Sequence, residues 1–344
     1  MPYPDSDVGS PAAVTAIDGY FVFVYGDARA RSTGLNSTSI TTLDNAFAES
    51  GPDGLLRAIA FRGELFLMGQ GTIEVWQNTG NPTGFPFSRA TVLPRGLVGP
   101  HAVAGHEDGW SNSLIWVGDD SIVYRLDGYT PTRISTHSVE RMIEALDDRA
   151  TLEASVFMAA GHAFWCLRSP EWTWVYDLTT QAWHERRSHG SPTFRGSASV
   201  RAFGRWLLGD ANTGKVFILD ENAQREGSDP LVARIESVPT DDFPNRATAT
   251  RLDIDFVAGT GEAAGLAPIG TDPTCLVSWS LNGGASFGQP VARTLGAQGT
   301  WQRRISVNRL GMIEPSGLVV AIECADPVFF SVLGAHVGAG RRVR

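Results

Sequence analysis

Hydrophobic and polar residues alternate in short runs along most of the chain, which is the pattern of β-strands with one buried face. Four segments share one form: an apolar strand, a turn rich in Gly, Asp or Pro, and a second strand of alternating residues. They are ELFLMGQGTIEVWQNTG, SLIWVGDDSIVYRLDGYTPTRIS, HAFWCLRSPEWTWVYDLTTQAWHERRS and RWLLGDANTGKVFILDENAQREG. Alignment on Trp76, Tyr124, Tyr176 and Ile218 gives steps of 48, 52 and 42 residues.

Further short strands flank each of these segments. LLRAIAFRG, HAVAGHEDG, ASVFMAAG and SASVRAFG precede them, and TPTRIS, AWHERRS and LVARIES read as a last polar strand. The N-terminal AVTAIDGYFVFVYGD has the same outline, with Asp18-Gly19 as a hairpin signal, and Gly19 precedes Gly63 by 44 residues. Four short antiparallel strands repeated every 40–50 residues or so are typical of β-propeller blades.

Two regions depart from the repeat. In STHSVERMIEALDDRA, apolar residues at helical spacing (Val139, Met142, Ile143 and Leu146) predict one short helix, with Ser135 or Thr136 as its N-cap. From about Thr240 onward, five strand-like runs are joined by Gly-rich loops, the longest being TGEAAGLAPIGTDP. These runs predict either a sixth blade or a small β-sandwich.

We therefore expect an all-β protein of propeller-like, four-stranded antiparallel blades. The expected organisation is an N-terminal arm (1–10), propeller-like blades (11–240), a C-terminal β region (241–337) and a basic tail (338–344). A composition of 42% hydrophobic residues with 38 glycines and 19% charged residues agrees with strands joined by many tight turns.

The charge balance and the cysteines narrow the possible functions. A net charge of −9 and a pI near 5.3 argue against tight wrapping of nucleic acid, which needs a surplus of Lys and Arg. Cys166, Cys275 and Cys324 lie far apart in apolar stretches, which predicts buried, reduced thiols. With no secretory leader and no membrane-length apolar run, we expect a soluble protein made in a reducing cytoplasm.

Two loops imitate known binding motifs without completing them. GDANTGKV has the skeleton of a phosphate loop, but Val216 stands where Ser or Thr must bind magnesium and both flanks read as strands, so a hairpin is expected. DENAQREGSD alternates oxygen-bearing side chains as a calcium loop does, but Arg225 replaces the turn glycine, so a solvated turn is expected.

Three further patterns contain residues that serve as metal ligands, catalytic acids or sialidase turns in other proteins. His184 and His189 stand five residues apart, which places them on opposite faces of a strand and disfavours a shared metal. Asp253 and Asp255 share one strand face and are read as charged edge positions rather than an acid pair. SLNGGASF resembles the structural Asp-box turn of sialidases, with Asn282 in place of the Asp. We expect no catalytic, cofactor-binding or metal-binding residue and no enzyme activity.

Two segments are candidates for contact with other chains. The loop after Trp76 is longer than its counterparts and carries Phe85, Pro86, Phe87 and Arg89, whereas Trp76 itself is expected in the core. The C-terminal GAGRRVR carries a cluster of basic residues, either as a disordered terminus or as an arm that docks on an acidic neighbour; they are Arg341, Arg342 and Arg344.

One stretch is similar to a known family. LFLMGQGTIEVWQNTG, then FPFSRA and LPRGLVGPHAVA, then SLIWVGDDSIVYRLDGYTPTRISTHSVE resemble the tail-hub or nozzle proteins of short-tailed bacteriophages, also called packaged-DNA stabilisation proteins, from about Leu55 to Glu140. The C-terminal VSWSLNGGASFG and DPVFFSVLGAHV are similar to the closing strands of that family.

The resemblance implies a structural protein of the virion tail, assembled in the host cytoplasm. It implies a propeller-like subunit that forms a hexameric ring below the portal and its adaptor, helps to retain packaged DNA, forms the ejection conduit and carries a needle, fibres or spikes. Two alternatives remain open at this point: a propeller enzyme that acts on surface glycan, as sialidases do, and a monomeric carbohydrate- or peptide-binding propeller.

Overall fold

A computed structural model describes residues 3–48, 54–81, 83–241, 246–257, 273–297, 299–300 and 303–341. The chain divides into two compact units, one of residues 1–187 and 191–221 and the other of residues 188–190 and 222–344. We call them the propeller unit and the sandwich unit. The second unit begins about twenty residues earlier than the change of pattern in the sequence indicates.

The propeller unit contains five antiparallel sheets in chain order, and within each sheet neighbouring strands are consecutive in sequence. Sheet 1 contains β1 (Ala13–Ile17), β2 (Tyr20–Val24), β3 (Arg29–Thr33) and β4 (Ile40–Phe47). Sheet 2 contains β5 (Leu55–Phe61), β6 (Glu64–Gly69), β7 (Ile73–Asn78) and β8 (Phe87–Leu93). Sheet 3 contains β9 (Val103–Ala104), β10 (Ile115–Val117), β11 (Val123–Asp127) and β12 (Thr130–Arg133).

The last two sheets of this unit differ in strand number. Sheet 4 contains β13 (Glu153–Ala159), β14 (His162–Arg168), β15 (Thr173–Asp177) and β16 (Ala182–Glu185). Sheet 5 has three strands within the described residues: β17 (Gly196–Ala202), β18 (Arg205–Asp210) and β19 (Val216–Ile218). The predicted architecture of successive four-stranded antiparallel blades is confirmed for sheets 1 to 4.

The repeat in the sequence corresponds to a repeat in strand register. The four aligned positions all lie in third strands, and each pairs with a large apolar residue of the second strand; the pairs are Leu65 with Trp76, Trp116 with Tyr124, Trp165 with Tyr176, and Leu207 with Ile218. The second strand of the segment ELFLMGQGTIEVWQNTG is β7, the third strand of sheet 2. In sheets 2, 3 and 4 this cross-strand pair is buried, whereas in sheet 5 Ile218 is exposed.

A second repeated device is the turn between the first and second strands. In sheets 1, 2, 4 and 5 it is a two-residue loop whose residues both have positive φ, as in Asp18-Gly19 (50° and 81°) and Phe203-Gly204 (54° and 72°). Loops with positive φ at both positions match the twist of the flanking strands, and glycine is favoured at the second. This turn explains the glycine period in the sequence.

Sheet 2 shows how the propeller core is built. On one face, Ile59, Phe66 and Val75 belong to a buried cluster that continues through sheets 3, 4 and 5. On the other face, Leu65 and Trp76 belong to a cluster shared with Ile17, Val22 and Val24 of sheet 1. Both faces of this sheet are therefore covered by neighbouring sheets, as in stacked blades.

The predicted helix is confirmed as α1 (His137–Glu144), which follows sheet 3. The Thr136 hydroxyl accepts a hydrogen bond from the backbone N–H of Val139, so Thr136 is the N-cap. Ser135 has a different role, because it donates to the carboxylate of Glu140 at 2.6 Å. Val139 and Ile143 are buried in the propeller core.

Besides a short two-stranded hairpin, the described residues of the sandwich unit form two larger sheets with strands in non-sequential order. The first has the order β22 (Ala233–Glu236), β27 (Val319–Cys324), β24 (Thr274–Ser280), β25 (Val291–Thr294). The second has the order β26 (Arg304–Ile313), β23 (Ala247–Phe256), β28 (Val332–Arg341). One buried cluster joins their inner faces, including Val277 and Ile322 with Leu252 and Val307. Of the two alternatives for this region, the sandwich is the one observed.

Several expectations about segment ends need correction. LVARIES was expected to be the last strand of a blade, but β22 pairs with β27 of the sandwich unit. The basic tail was expected from residue 338, but β28 pairs with β23 as far as Arg341 opposite Ala247, so backbone hydrogen bonding orders this part. A short hairpin of β20 (Arg225–Glu226) and β21 (Asp229–Pro230) precedes β22.

The N-terminal segment packs on sheet 1. Tyr3 makes an edge contact with Phe23, their ring centroids lying 5.2 Å apart, and the hydroxyl of Tyr25 donates to the carbonyl oxygen of Val8 at 2.6 Å. The side chain of Asp5 accepts a hydrogen bond from the N–H of Ile40 at 2.8 Å. The expected N-terminal arm is thus attached to the first sheet from residue 3 onward.

Candidate functional site

The aromatic loop between β7 and β8 lies mostly against the protein itself. Phe87 begins β8 and is buried with Pro86, while Phe85 is half-buried and packs edge-on against Trp76 at 5.7 Å between ring centroids. The carbonyl oxygen of Pro86 accepts hydrogen bonds from the N–H and the hydroxyl of Thr79, which closes the loop. Trp76 is a core residue, as predicted.

Arg89 also has a partner within the subunit. Its guanidinium lies 3.2 Å from the carboxylate of Glu74, which is buried and also accepts a hydrogen bond from the indole N–H of Trp76 at 2.9 Å. Burying a carboxylate requires such partners. That this loop contacts another chain stays a prediction. Because Pro86 and Phe87 are buried in this subunit, only Phe85 and Arg89 retain exposed surface for such a contact.

The C-terminal candidates are only partly described. Arg341 is the last residue of β28, whereas Arg342 and Arg344 lie outside the described residues. A docking role for all three stays a prediction. The long loop TGEAAGLAPIGTDP also lies almost wholly outside the described residues.

The phosphate-loop-like segment is the expected hairpin between β18 and β19. Asp210 at its start is buried, pairs with Arg195 at 2.8 Å, and accepts from the Thr213 hydroxyl and the Asn212 N–H. The hydrogen bond from Arg195 is the main reason that the pKa of Asp210 lies far below its usual range. The carboxylate therefore organises the turn rather than a ligand.

The acid pair in the sandwich unit is engaged in ion pairs. Asp253 pairs with Arg251 at 2.8 Å, and Asp255 with Arg304 at 2.8 Å. The pKa values of both aspartates are lowered. The largest cause is the hydrogen bond from the Ser306 hydroxyl for Asp253, and the hydrogen bond from Arg304 for Asp255. Both aspartates lie on β23, the central strand of its sheet, so their interpretation as edge positions was wrong: Asp253 pairs with Arg251 of the same strand, and Asp255 pairs with Arg304 of the neighbouring strand β26.

The Asp-box-like turn is closed by its own side chains. The Ser280 hydroxyl accepts a hydrogen bond from the N–H of Gly284 at 2.9 Å, and the Asn282 side-chain oxygen accepts one from the N–H of Ser286 at 3.0 Å. The turn joins β24 to β25 and is a structural hairpin. No group of three or more potential ligand residues suited to a metal ion is present among the described residues.

The three cysteines are buried and unpaired, as the sequence predicted. Burial raises the pKa of the Cys166 thiol to about 11 and that of Cys275 to about 12. Thiols with raised pKa values hold little thiolate at neutral pH, so these residues are packing groups rather than nucleophiles.

The feature that the sequence did not reveal is an uncovered face of sheet 5. Cross-strand pairing places Val200, Leu207 and Ile218 in one row and Ala198, Gly209 and Val216 in the next, all on one face. Val200, Val216 and Ile218 are 55%, 65% and 52% exposed. The opposite face, with Trp206 and Leu208, belongs to the propeller core. One side of this sheet is therefore apolar and has no cover among the described residues.

Sheet 1, at the other end of the series, has a similar uncovered area. Its inner face packs on sheet 2, whereas its outer face carries Val14, Phe21 and Phe47, which are all exposed. Phe23 on the same outer face is covered by Tyr3. The first and last sheets of the unit thus each present an apolar face to solvent, and the two faces differ in sequence.

The alternation of Val200, Val216 and Ile218 was visible in the sequence, but it predicts only a strand face that packs on something. Whether a neighbouring sheet covers that face depends on residues far away in sequence. The open faces were therefore outside the reach of the sequence pattern.

Comparison with known proteins identifies the family. A family model for phage stabilisation proteins, described as "Bacteriophage P22 Gp10, beta-propeller", matches residues 2–224, well over half of the chain. The chain belongs to this family and is a structural phage protein of the packaged-DNA stabilisation class. The suspected family and the β-propeller fold class are thereby confirmed. No protein with a curated description matches the sequence.

Three solved structures share a distant likeness. They are the exo-β-1,3-galactanase of Phanerochaete chrysosporium with galactose (11% identity, 93% of each chain covered, TM-score 0.31), Raptor of Chaetomium thermophilum (9%, 60% of this chain and 19% of that chain, 0.38) and the computationally designed Ika8 protein (12%, 60% of each chain, 0.37). At these TM-scores the likenesses carry no functional argument. Among the described residues, none of the helices has the length and hydrophobicity to cross a membrane.

Proposed function

We propose that this protein is the repeating subunit of a tail-hub or nozzle ring, which attaches below the portal and adaptor of a short-tailed phage. In this role it is a structural protein without catalysis. Six copies form the ring, which helps to retain the packaged DNA and later serves as its ejection conduit. The proposal rests on membership of the phage stabilisation family and on one structural observation, the pair of uncovered apolar faces.

Two different apolar faces at opposite ends of one series of sheets suit head-to-tail assembly. A heterologous contact joins one patch on a subunit to a different patch on the next, and it generates a ring when the rotation between subunits closes. The outer face of sheet 5 and the outer face of sheet 1 supply such a pair of patches. Their contact would continue the sheet-on-sheet packing that already joins neighbouring sheets within the subunit.

The charge of the chain agrees with a conduit. A net charge of −9 in each copy gives a ring that repels the DNA backbone and lets the duplex slide rather than adhere. The exposed parts of Phe85 and Arg89 and the C-terminal arginines are proposed contacts with the adaptor, with a needle, fibre or spike protein, or with a neighbouring copy.

The experiment is native mass spectrometry of the purified protein, alone and mixed with the portal and adaptor proteins of its phage. We expect hexamers, or six copies added to the portal complex. Ile218→Glu places a charge on the uncovered face, and burial of an unpaired charge is strongly unfavourable. We expect this variant to lower the hexamer population about tenfold or more while the monomer stays folded by circular dichroism.

The matched control is Leu333→Glu, which places the same charge at an exposed position of the sandwich unit and on neither of the two faces. We expect it to assemble as the unchanged protein does. A protein that remains monomeric with and without the portal complex contradicts the ring. Equal assembly by the Ile218→Glu and Leu333→Glu variants contradicts the assigned contact face.

A further inference from the structure

A cavity of about 370 Å³ lies among the first strands of sheets 2 to 5. Four successive sheets contribute to its wall: Arg57 comes from β5, Val103 from β9, residues 153–155 from β13 and residues 197–199 from β17. His101, His106 and Glu107 flank β9 and complete the lining. Cavities of this size hold small-molecule ligands in other proteins. The site lies entirely within the propeller unit.

Arg57 is the first group in this cavity that lacks a partner. Its side chain is half-buried, and no described residue forms a hydrogen bond or an ion pair with its guanidinium. Burial lowers the pKa of Arg57, against an opposing effect of Glu107. Most other arginines of the propeller core pair with a carboxylate or stack on an aromatic ring, as Arg195 does with Asp210. A desolvated guanidinium with five donors and no acceptor is costly unless something binds to it.

His106 is the second such group. Its Nδ1 atom is buried and has no hydrogen-bond partner within the described residues. The nearest carboxylate oxygen, on Glu107, lies 3.8 Å away, which is too far for a hydrogen bond. Burial lowers the pKa of His106, as it does for Arg57.

The carboxylates of the cavity are, by contrast, already held. Glu107 accepts a hydrogen bond from the backbone N–H of Gly105 at 2.6 Å, and Glu153 pairs with Arg168 at 3.2 Å. The hydroxyls of Ser197 and Ser199 lie on the same wall, and that of Ser199 accepts from the N–H of Val156 at 3.1 Å. The guanidinium of Arg57 therefore lacks acceptor atoms, and Nδ1 of His106 lacks one as well in the tautomer that carries its proton there.

We propose that this cavity binds a small oxyanion, a carboxylate or a phosphate, whose oxygens accept hydrogen bonds from Arg57 and from His106. Guanidinium groups bind both anions in a two-point geometry, and such charge-assisted bonds are stronger than neutral ones. The bound anion contacts Arg57 of sheet 2 and His106, which follows β9 of sheet 3. Residues of sheets 4 and 5 form the rest of the cavity wall. Of the residues that line the cavity, Ala198 also lies on the outer face of sheet 5, whereas Arg57 and His106, which bind the anion, do not belong to sheets 1 or 5.

Isothermal titration calorimetry at low ionic strength tests the site, with inorganic phosphate and with citrate as separate probes. We expect saturable binding of at least one probe, at one site per chain. Binding of phosphate alone assigns a phosphate ligand, and binding of citrate alone assigns a carboxylate. Arg57→Gln removes the charge and keeps an amide, and we expect it to weaken binding about tenfold or more.

The control variant is Arg141→Gln, which removes the same charge from an exposed position on α1. We expect it to bind as the unchanged protein does. Without ligand, the Tm of Arg57→Gln should be equal or higher, because an unpaired half-buried charge is removed; with ligand, only the unchanged protein and the control should gain Tm. The proposal is overturned if neither probe binds, if both variants lose binding equally, or if Arg57→Gln keeps binding and lowers the ligand-free Tm.

Discussion

Sheets 2 and 5 of the propeller unit have the same local design and different surroundings. In both sheets, a two-residue turn of positive φ joins the first and second strands. In both, a large apolar residue of the second strand pairs with one in the third: Leu65 with Trp76, and Leu207 with Ile218. Sheet 2 has a fourth strand and two covered faces, whereas the described residues give sheet 5 three strands and one covered face. The comparison shows that the local sequence pattern is sufficient to form a blade-like sheet. Which of its residues are buried depends on the sheets that pack against it.

The difference has a direct energetic consequence for isoleucine side chains in the two third strands. Ile73 lies in the third strand of sheet 2 and is completely buried, whereas Ile218 in the third strand of sheet 5 is 52% exposed. Removal of buried methyl and methylene groups loses transfer free energy and leaves a cavity, whereas removal of exposed groups loses much less.

The largest expected effect comes from truncating these two isoleucines separately. Ile73→Ala should lower the free energy of unfolding of the monomer by about 2–5 kcal/mol, because both transfer and cavity contributions are lost. Ile218→Ala should lower it by less than about 1 kcal/mol in the monomer, because its face is uncovered. Urea denaturation of the two variants at a concentration where the protein is monomeric measures both.

The Ile73→Ala and Ile218→Ala variants also distinguish an effect on subunit assembly from an effect on folding of the monomer. If the outer face of sheet 5 is covered by a second copy, Ile218→Ala should cost more in the assembled protein than in the monomer. Equal losses for both isoleucines in the monomer would mean that this face is covered within one chain, and the contrast between sheets 2 and 5 would disappear.

A smaller effect concerns the turn after the third strand of sheet 4. Asp177 ends β15 and accepts hydrogen bonds from the Thr179 N–H at 2.8 Å, the Thr180 hydroxyl at 2.7 Å and His162 at 2.7 Å. Burial by itself would raise the pKa of Asp177, but these bonds lower it to about 2. Asp177→Asn should therefore lower the free energy of unfolding at pH 7 by roughly 1–2 kcal/mol.

The sign of the pH dependence follows from the lowered pKa. A depressed carboxyl pKa stabilises the folded state above the unfolded pKa near 4, and this contribution disappears as the pH falls through about 2. The stability difference between the Asp177→Asn variant and the unchanged protein should shrink over that window in chemical denaturation. Asp127→Asn, at the exposed end of the third strand of sheet 3, is the control and should be neutral throughout. A pH-independent loss in Asp177→Asn would assign the effect to packing instead.

The smallest effect concerns the shared turn itself. Phe203 has φ of 54° and is 96% exposed, whereas the equivalent position of sheet 1 is Asp18 with φ of 50°. Aromatic residues are disfavoured at positive φ, and Asn and Asp are tolerated there. Phe203→Asn should stabilise the monomer by roughly 0.5–1 kcal/mol, and Asp18→Phe should destabilise it by a similar amount, both read as shifts in Tm. A loss of stability in Phe203→Asn would show that the ring of Phe203 packs on something within the chain.

The sequence pattern predicted the repeat well because each blade is a local structure. Hairpins between neighbouring strands need only turn residues such as Asp18-Gly19 and alternating apolar residues such as those around Trp76 and Tyr176, and both are written in a short window of sequence. The helix was predictable for the same reason, since Thr136 as N-cap and the apolar spacing of Val139 and Ile143 are local signals.

The interaction surfaces were less predictable. Phe85 to Phe87 read as an exposed aromatic loop, but Phe87 pairs into the sheet and Pro86 is buried, because the core between sheets 1 and 2 reaches this loop. The cavity around Arg57 and His106 joins residues that are about fifty positions apart in sequence and are brought together only by stacked sheets. The spacing of Arg57 and His106 in the sequence does not indicate that they line the same cavity.

The sequence by itself determined the strands, the tight turns, the blade period and the family of this protein, because these depend on side chains within one or two hairpins of each other. Only the tertiary structure decided that LVARIES pairs with β27 instead of completing sheet 5, that two apolar faces have no cover among the described residues, and that the half-buried Arg57 has no partner among them. Strand pairing competes over long separations, and its outcome depends on the sum of all buried contacts rather than on any local pattern.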